Sequence, residues 1–222
     1  MREQHTSWQH YRVRLSQGRS QRLRAACLAV LLCIGPNAVG GVAAVDSPTA
    51  VVQQTADAVV VVLADKSLST KDKRSKIEQI VYAHFDFTTL SKLVLARNWK
   101  QLSPPQQRDF VEEFKRHLSV TYSRNVETYN NERAVVTADR QESNGDWTVK
   151  TKIVRPSAED ILVDYRLRKQ GDTWQVIDVI IEGVSLVANF RSQFQEILTS
   201  SNHDHLIQLL REKNAKGESL KS

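Results

Sequence analysis

Cysteine is nearly missing from this chain of 222 residues: Cys27 and Cys33 are the only two. Both lie in the N-terminal 44 residues, so disulfides, thiol catalysis and cysteine metal sites are excluded for everything downstream. Glycine is also sparse there, with Gly145, Gly171, Gly183 and Gly217 alone. None of these sits in a phosphate-cradling loop, which argues against a nucleotide site. Long apolar runs are lacking too. The longest in the leader, Ala25 to Ile34, has ten residues, too few to cross roughly 30 Å of hydrocarbon as a helix. An excess of positive charge is missing from the body of the chain as well. The formal net charge of +6 comes mostly from six arginines in residues 1–44, set against Glu3 alone. Residues 45–222 carry 25 basic and 24 acidic side chains. That balance does not support a basic surface for polyanions and argues against a strongly cationic binding mouth.

What is present begins with the leader. A polar, arginine-bearing stretch precedes the apolar run. Gly35-Pro36 breaks that run, and Gly41-Val42-Ala43-Ala44 supplies small residues. This is the order of a secretory signal peptide, with cleavage predicted after Ala44. Leu32 before Cys33 does not fit lipid attachment, and Arg22-Leu23-Arg24 is not a twin-arginine pair, so export is expected as an unfolded chain without a cofactor.

Residues 45–213 read as one α+β domain, followed by a polar tail at 214–222. Helices are predicted from Ser47 to about Ala64, Ser75 to Ala83 and Phe87 to Arg97. Ser103, Pro104 and Gln106 make a capping box that opens the longest helix. Its stripe of Phe110, Phe114, Leu118, Tyr122, Val126 and Tyr129 predicts a helix reaching about Asn130. Four strands follow, at 134–140, 147–154, 161–168 and 174–182. Ser143-Asn144-Gly145-Asp146 and Gln170-Gly171-Asp172 supply two of the turns. Trp147, Val149, Thr151 and Ile153 alternate with polar residues, as do Ile161, Val163, Tyr165 and Leu167, which gives the antiparallel sheet one apolar face. After Gly183 the period turns helical through Val187, Phe190 and Phe194. Asn202 caps a last helix. The expected architecture is α+β, with helices packed around a twisted four-stranded antiparallel sheet.

Catalytic constellations are not found. Gly183-Val184-Ser185 lacks the second glycine of a nucleophile elbow. His203-Asp204-His205 places its histidines two apart, on different sides of a helix, without a third ligand nearby. Asp178 is expected to accept a structural hydrogen bond or salt bridge. The surplus is apolar and aromatic surface on both sheet and helices, which points to a cavity for an apolar ligand.

The run WQVIDVIIEGVSLVANFRSQFQEIL, Trp174 to Leu198, carries a tryptophan, an aspartate four residues on, and a Glu-Gly-Val-Ser turn into an amphipathic helix. It resembles the signature of periplasmic phospholipid carriers of the MlaC type, also called the toluene-tolerance family. Phe85 to Trp99 (FDFTTLSKLVLARNW) and the Ser-Pro-Pro-Gln helix start agree with that likeness, which covers roughly residues 50–212. The family usually has glycine where Ala96 stands. The resemblance implies helices and a strongly twisted sheet around a deep apolar pocket, without a cofactor or enzyme activity. It also implies a headgroup left near the pocket mouth and a shuttle between an outer-membrane lipoprotein complex and an inner-membrane ABC transporter, maintaining outer-membrane lipid asymmetry.

The expected lipid-facing residues are Phe110, Phe114 and Leu118 on the long helix, Val149, Ile153, Ile161, Val163, Tyr165, Val176 and Ile180 on the sheet, and Val184, Val187, Phe190 and Phe194 beyond it. A monomer is expected. The alternatives are a secreted interaction module whose helices and sheet are solid core, and a small secreted enzyme.

Overall fold

The computed structural model describes residues 47–122, 126 and 129–220, all within one compact unit, Val45–Ser222. The signal-peptide reading lies outside the described residues. Helices α1 (Pro48–Ala64), α2 (Thr70–His84), α3 (Phe87–Leu95) and α4 (Pro104–Tyr122) come first. Strands β1 (Arg133–Gln141), β2 (Trp147–Val154), β3 (Ile161–Gln170), β4 (Thr173–Ile181) and β5 (Val184–Ser185) follow, then α5 (Leu186–Ser200) and α6 (His203–Lys216). The five strands lie in sequence order, every pair antiparallel. No described helix is long and apolar enough to cross a membrane.

Local chemistry explains most boundaries. Ser47, Ser69, Asp86, Ser185 and Asn202 each accept a backbone N–H with the side chain at a helix start, satisfying donors that the first turn leaves orphaned. The α4 capping box forms as expected: Ser103 N donates to Gln106 Oε1 at 2.9 Å, and Gln106 N to Ser103 Oγ at 3.5 Å. Helix α2 begins at Thr70 rather than Ser75, because Ser69 caps it through Asp72. Helix α4 ends at Tyr122, so the helix expected to reach Asn130 is shorter; part of that stretch lies outside the described residues.

The sheet has five strands, not four. Glu182 and Gly183 both take positive φ, 50° and 79°. They form the two-residue turn that suits the sheet's twist and fold Val184 and Ser185 back against Ile181 and Ile180. Glu182 also completes the β3 edge: its N–H donates to Leu162 O at 2.9 Å, and its Oε1 accepts from Leu162 N at 2.5 Å. The Glu-Gly-Val-Ser sequence is thus a hairpin joined to a helix cap.

Ala96 ends α3 at φ 50°, ψ −121°, a region that a Cβ makes costly and glycine adopts freely. The residue is exposed, so removing its methyl forfeits no burial. Ala96→Gly is expected to stabilise the fold by about 1 kcal/mol, the strain relieved exceeding the added unfolded-state entropy. The melting temperature should rise by about 3 °C; an unchanged or lower midpoint in a calorimetric scan would refute the strain.

Among the described residues the buried apolar side chains fall into two clusters. One joins α3, α4, α5 and α6 around Phe110, Phe114, Phe190 and Phe194. These four rings pack on one another with centroids 5.1 to 5.7 Å apart. The other joins the inner sheet face to α1 through Val51, Val52, Val149, Val163, Leu167, Val176 and Val179. Phe85 packs against both clusters and is tied to β4 by a backbone bridge to Val176.

His117 is buried between α4 and α6. Asn214 Nδ2 donates to Glu113 O and Glu113 Oε2, so Asn214 Oδ1 is the acceptor for His117 Nδ1–H at 2.9 Å. The ring is neutral with this tautomer, and its buried Nε2 has no partner. Burial holds its pKa below 6.5, and the Lys213 charge acts the same way, against the Asn214 bond. The folded protein therefore binds a proton less readily than the unfolded chain. Stability from this site is intact above pH 6.5 and falls as pH drops from there toward the depressed folded value. His117→Gln should flatten the loss of stability between pH 6.5 and 5 in denaturant titrations. An unchanged slope would place the acid sensitivity elsewhere.

Candidate functional site

At the seam where the two cores fail to merge lies a cavity of about 260 Å³. Helix α2 supplies one wall with Ile77, Val81 and Tyr82, and Phe85 continues it. Phe87 and Leu90 of α3, Leu118 and Tyr122 of α4, and Leu186 of α5 supply the helical side. Tyr165 of β3 with Val179 and Ile181 of β4 form the floor, and Val126 completes the apolar lining. Polar side chains are confined to Arg74, Glu78, Lys115 and Ser119 on α2 and α4.

Two contacts across the cavity join these helices. Ser119 Oγ donates to Glu78 Oε1, and Lys115 Nζ stands over the Tyr82 ring, 4.1 Å from its centroid. Every residue of α2 keeps at least partial exposure. Ile77, Val81 and Tyr82 face the cavity without being sealed into either core. Burial raises the phenol pKa of Tyr82, Tyr122 and Tyr165, with the Glu78 charge adding to the effect at Tyr82. All three therefore present neutral, largely apolar rings at neutral pH. The site has the make-up of an apolar ligand pocket: dry walls and a few polar groups on one side.

The expected lipid-facing residues are distributed differently. Leu118 and Tyr165 line the cavity. Phe110, Phe114, Val187, Phe190 and Phe194 instead fill the helical core, because their side chains satisfy one another. Val149, Val163 and Val176 are buried in the sheet core, and Ile153 and Ile161 pack against it. Ile180 points away from the face that Val179 and Ile181 give to the cavity, opposite Asp164 and Ser185 in the ladders. Val184 was expected on the wall, but 61% of its surface is exposed, because the tight hairpin sets it on the sheet edge. Missed altogether was the α2 contribution. Ile77 and Val81 on a highly charged helix and Phe85 at its C-cap are spaced four apart, a narrow but readable stripe.

Asp178 and Ser185 are committed to structure. Asp178 Oδ1 accepts from Val179 N and Val187 N at 2.9 and 3.0 Å, and its Oδ2 from Ser185 Oγ at 2.6 Å. Ser185 Oγ in turn accepts from Ala188 N. Between His203 and His205, Asp204 is likewise committed to structure: its Oδ1 accepts from Gln106 Nε2 at 2.6 Å.

Fold and cavity together define an α+β protein built around an internal apolar pocket. The chain matches the MlaC protein family over residues 53–212 and belongs to it. It is 27% identical over 120 residues to the toluene tolerance protein Ttg2D of Pseudomonas putida, covering 54% of this chain and 56% of that protein. The match thus spans little more than half of that relative. Among solved structures it resembles the phospholipid-binding protein of Ralstonia solanacearum in complex with a phospholipid. The TM-score is 0.69 at 25% identity, covering 76% of this chain and 97% of the other.

Proposed function

We propose that this protein is a periplasmic phospholipid carrier. The observation that carries the reading is the apolar cavity between helices and sheet, in a fold shared with a protein solved with phospholipid bound. Acyl chains lie in the cavity and the headgroup stays at the Arg74–Glu78–Lys115–Ser119 side. Leu118 and Tyr165 contact the chains together with Val81, Phe87 and Ile181. The leader directs export and is removed after Ala44, leaving one carrier domain that works as a monomer.

Each acyl methylene taken into the cavity stabilises the complex by about 0.8 kcal/mol, so a lipid with long chains is held strongly. Escape into water is correspondingly slow. Lipid must therefore pass at a docked partner, from one apolar environment to another. The partners that fit are an outer-membrane lipoprotein complex and an inner-membrane ABC transporter, which together would serve outer-membrane lipid asymmetry. Energy for direction comes from the transporter side.

Native mass spectrometry of protein purified from the periplasm without detergent is expected to show an added mass of phospholipid size. Protein that arrives without such a mass and takes up none from vesicles would refute the carrier reading. Intact mass of the same sample is expected to place the N-terminus near Val45.

A further inference from the structure

Lys115 and Tyr82 belong to two hollows at once. Besides bounding the apolar cavity, they form one side of a polar depression completed by Glu112, Glu113 and Arg116. We infer that this depression is a headgroup site for zwitterionic phospholipids, those carrying a phosphate and an ammonium. The inference rests on the carrier reading above and gives its site a specificity.

The arrangement suits an amphiphile, because dry and polar compartments adjoin across a single pair of side chains. Tails entering the cavity leave the glycerophosphate beside the Lys115 ammonium, which stands at the rim over the Tyr82 and Phe87 rings. The charges in the depression are mixed. Two carboxylates accompany two cations, so a purely anionic head gains from Lys115 and Arg116 but meets repulsion from the acids.

The two acids differ in availability. Glu113 is engaged by Arg211 Nε at 3.0 Å and by Asn214 Nδ2 at 3.0 Å. Glu112 has a long contact to Lys115, 3.9 Å, and its side chain is 73% exposed. A phosphate drawn to Lys115 and Arg116 replaces that weak pair and frees Glu112 to receive the ammonium. The zwitterion thus matches both signs, whereas a headgroup without a cation leaves the Glu112 charge facing the phosphate.

The test loads the exported protein, stripped of lipid, from vesicles of equimolar phosphatidylethanolamine and phosphatidylglycerol with identical acyl chains. Bound lipid is extracted and both headgroups are quantified. The wild type is expected to be enriched about threefold in phosphatidylethanolamine, the size of one partly screened ion pair. Glu112→Gln should bring the ratio to about one, and Glu112→Lys should reverse it toward phosphatidylglycerol. Glu196→Gln, an exposed change on α5, should keep the wild-type ratio. Bound lipid that copies the vesicle composition in the wild type, or an enrichment that survives Glu112→Gln, would overturn the headgroup site while leaving the carrier reading intact. Uptake of neither lipid would overturn the carrier reading itself.

Discussion

Val81→Glu is expected to abolish stable lipid binding while leaving a folded protein. Val81 lies on α2 and lines the cavity, and it packs against the helical core while staying only partly buried. A carboxylate there faces acyl chains in a cavity that the rings of Phe85 and Phe87 also line. Its burial without a partner costs several kcal/mol, enough to lower lipid occupancy at least a hundredfold. In the lipid-free protein the same carboxylate can be hydrated within the cavity, and no residue of the α2 wall is sealed in a core. The melt should therefore stay cooperative, with a midpoint lowered by a few degrees. Val81→Trp tests the same wall without charge, since the added indole occupies space that lipid would need. Val184→Glu is the contrasting case: the side chain is exposed on the sheet edge, and both lipid content and stability should match the wild type. Retention of lipid by both Val81 variants, with the fold intact, would show that the ligand does not lie along α2.

The sequence made the framework readable because most of it is local. Period-two alternation marks the inner faces of β2 and β3, and the turns at Gly145 and Gly171 fix their pairing. Caps at Ser103 and Asn202 announce helices four and six. The cavity wall was harder to read for a physical reason. Periodicity tells which side of an element avoids water, but not whether protein or ligand covers it. Phe110 and Phe114 share a stripe with Leu118, yet only Leu118 reaches the cavity, because Phe190 and Phe194 already occupy the space in front of the other two. Val184 failed for another reason: an αL turn at Glu182, which a glutamate rarely adopts, reverses the chain just before it. The α2 wall is masked by charge, since the helix sequence TKDKRSKIEQIVYAH has few apolar positions from which to draw a stripe.

The largest loss of stability is expected at Asp178. The residue is 2% exposed, and its carboxylate sits where β4, β5 and α5 meet. One oxygen accepts two backbone N–H groups, from Val179 and from Val187 in the first turn of α5. The other accepts the hydroxyl of Ser185, which caps the same helix. Asp178→Ala leaves two backbone donors and a hydroxyl without partners in a buried place. At about 1–3 kcal/mol for each unsatisfied group, the loss is on the order of 4 kcal/mol, a large part of the stability of a domain this size. Asp178→Asn should be much milder. Its carbonyl oxygen can keep the two N–H bonds, and its amide can donate to Ser185 Oγ once the hydroxyl rotates, so about 1–2 kcal/mol is expected. Ser185→Ala should fall near the asparagine value through loss of the cap. Urea titrations of the three variants should therefore rank alanine at 178 far below the other two. Because Leu186 bounds the cavity from the residue between Ser185 and Val187, the alanine variant should also lose lipid in proportion to its unfolding, whereas the asparagine variant should retain it. Equal destabilisation by alanine and asparagine would mean that the negative charge, rather than the set of accepted hydrogen bonds, holds this junction together.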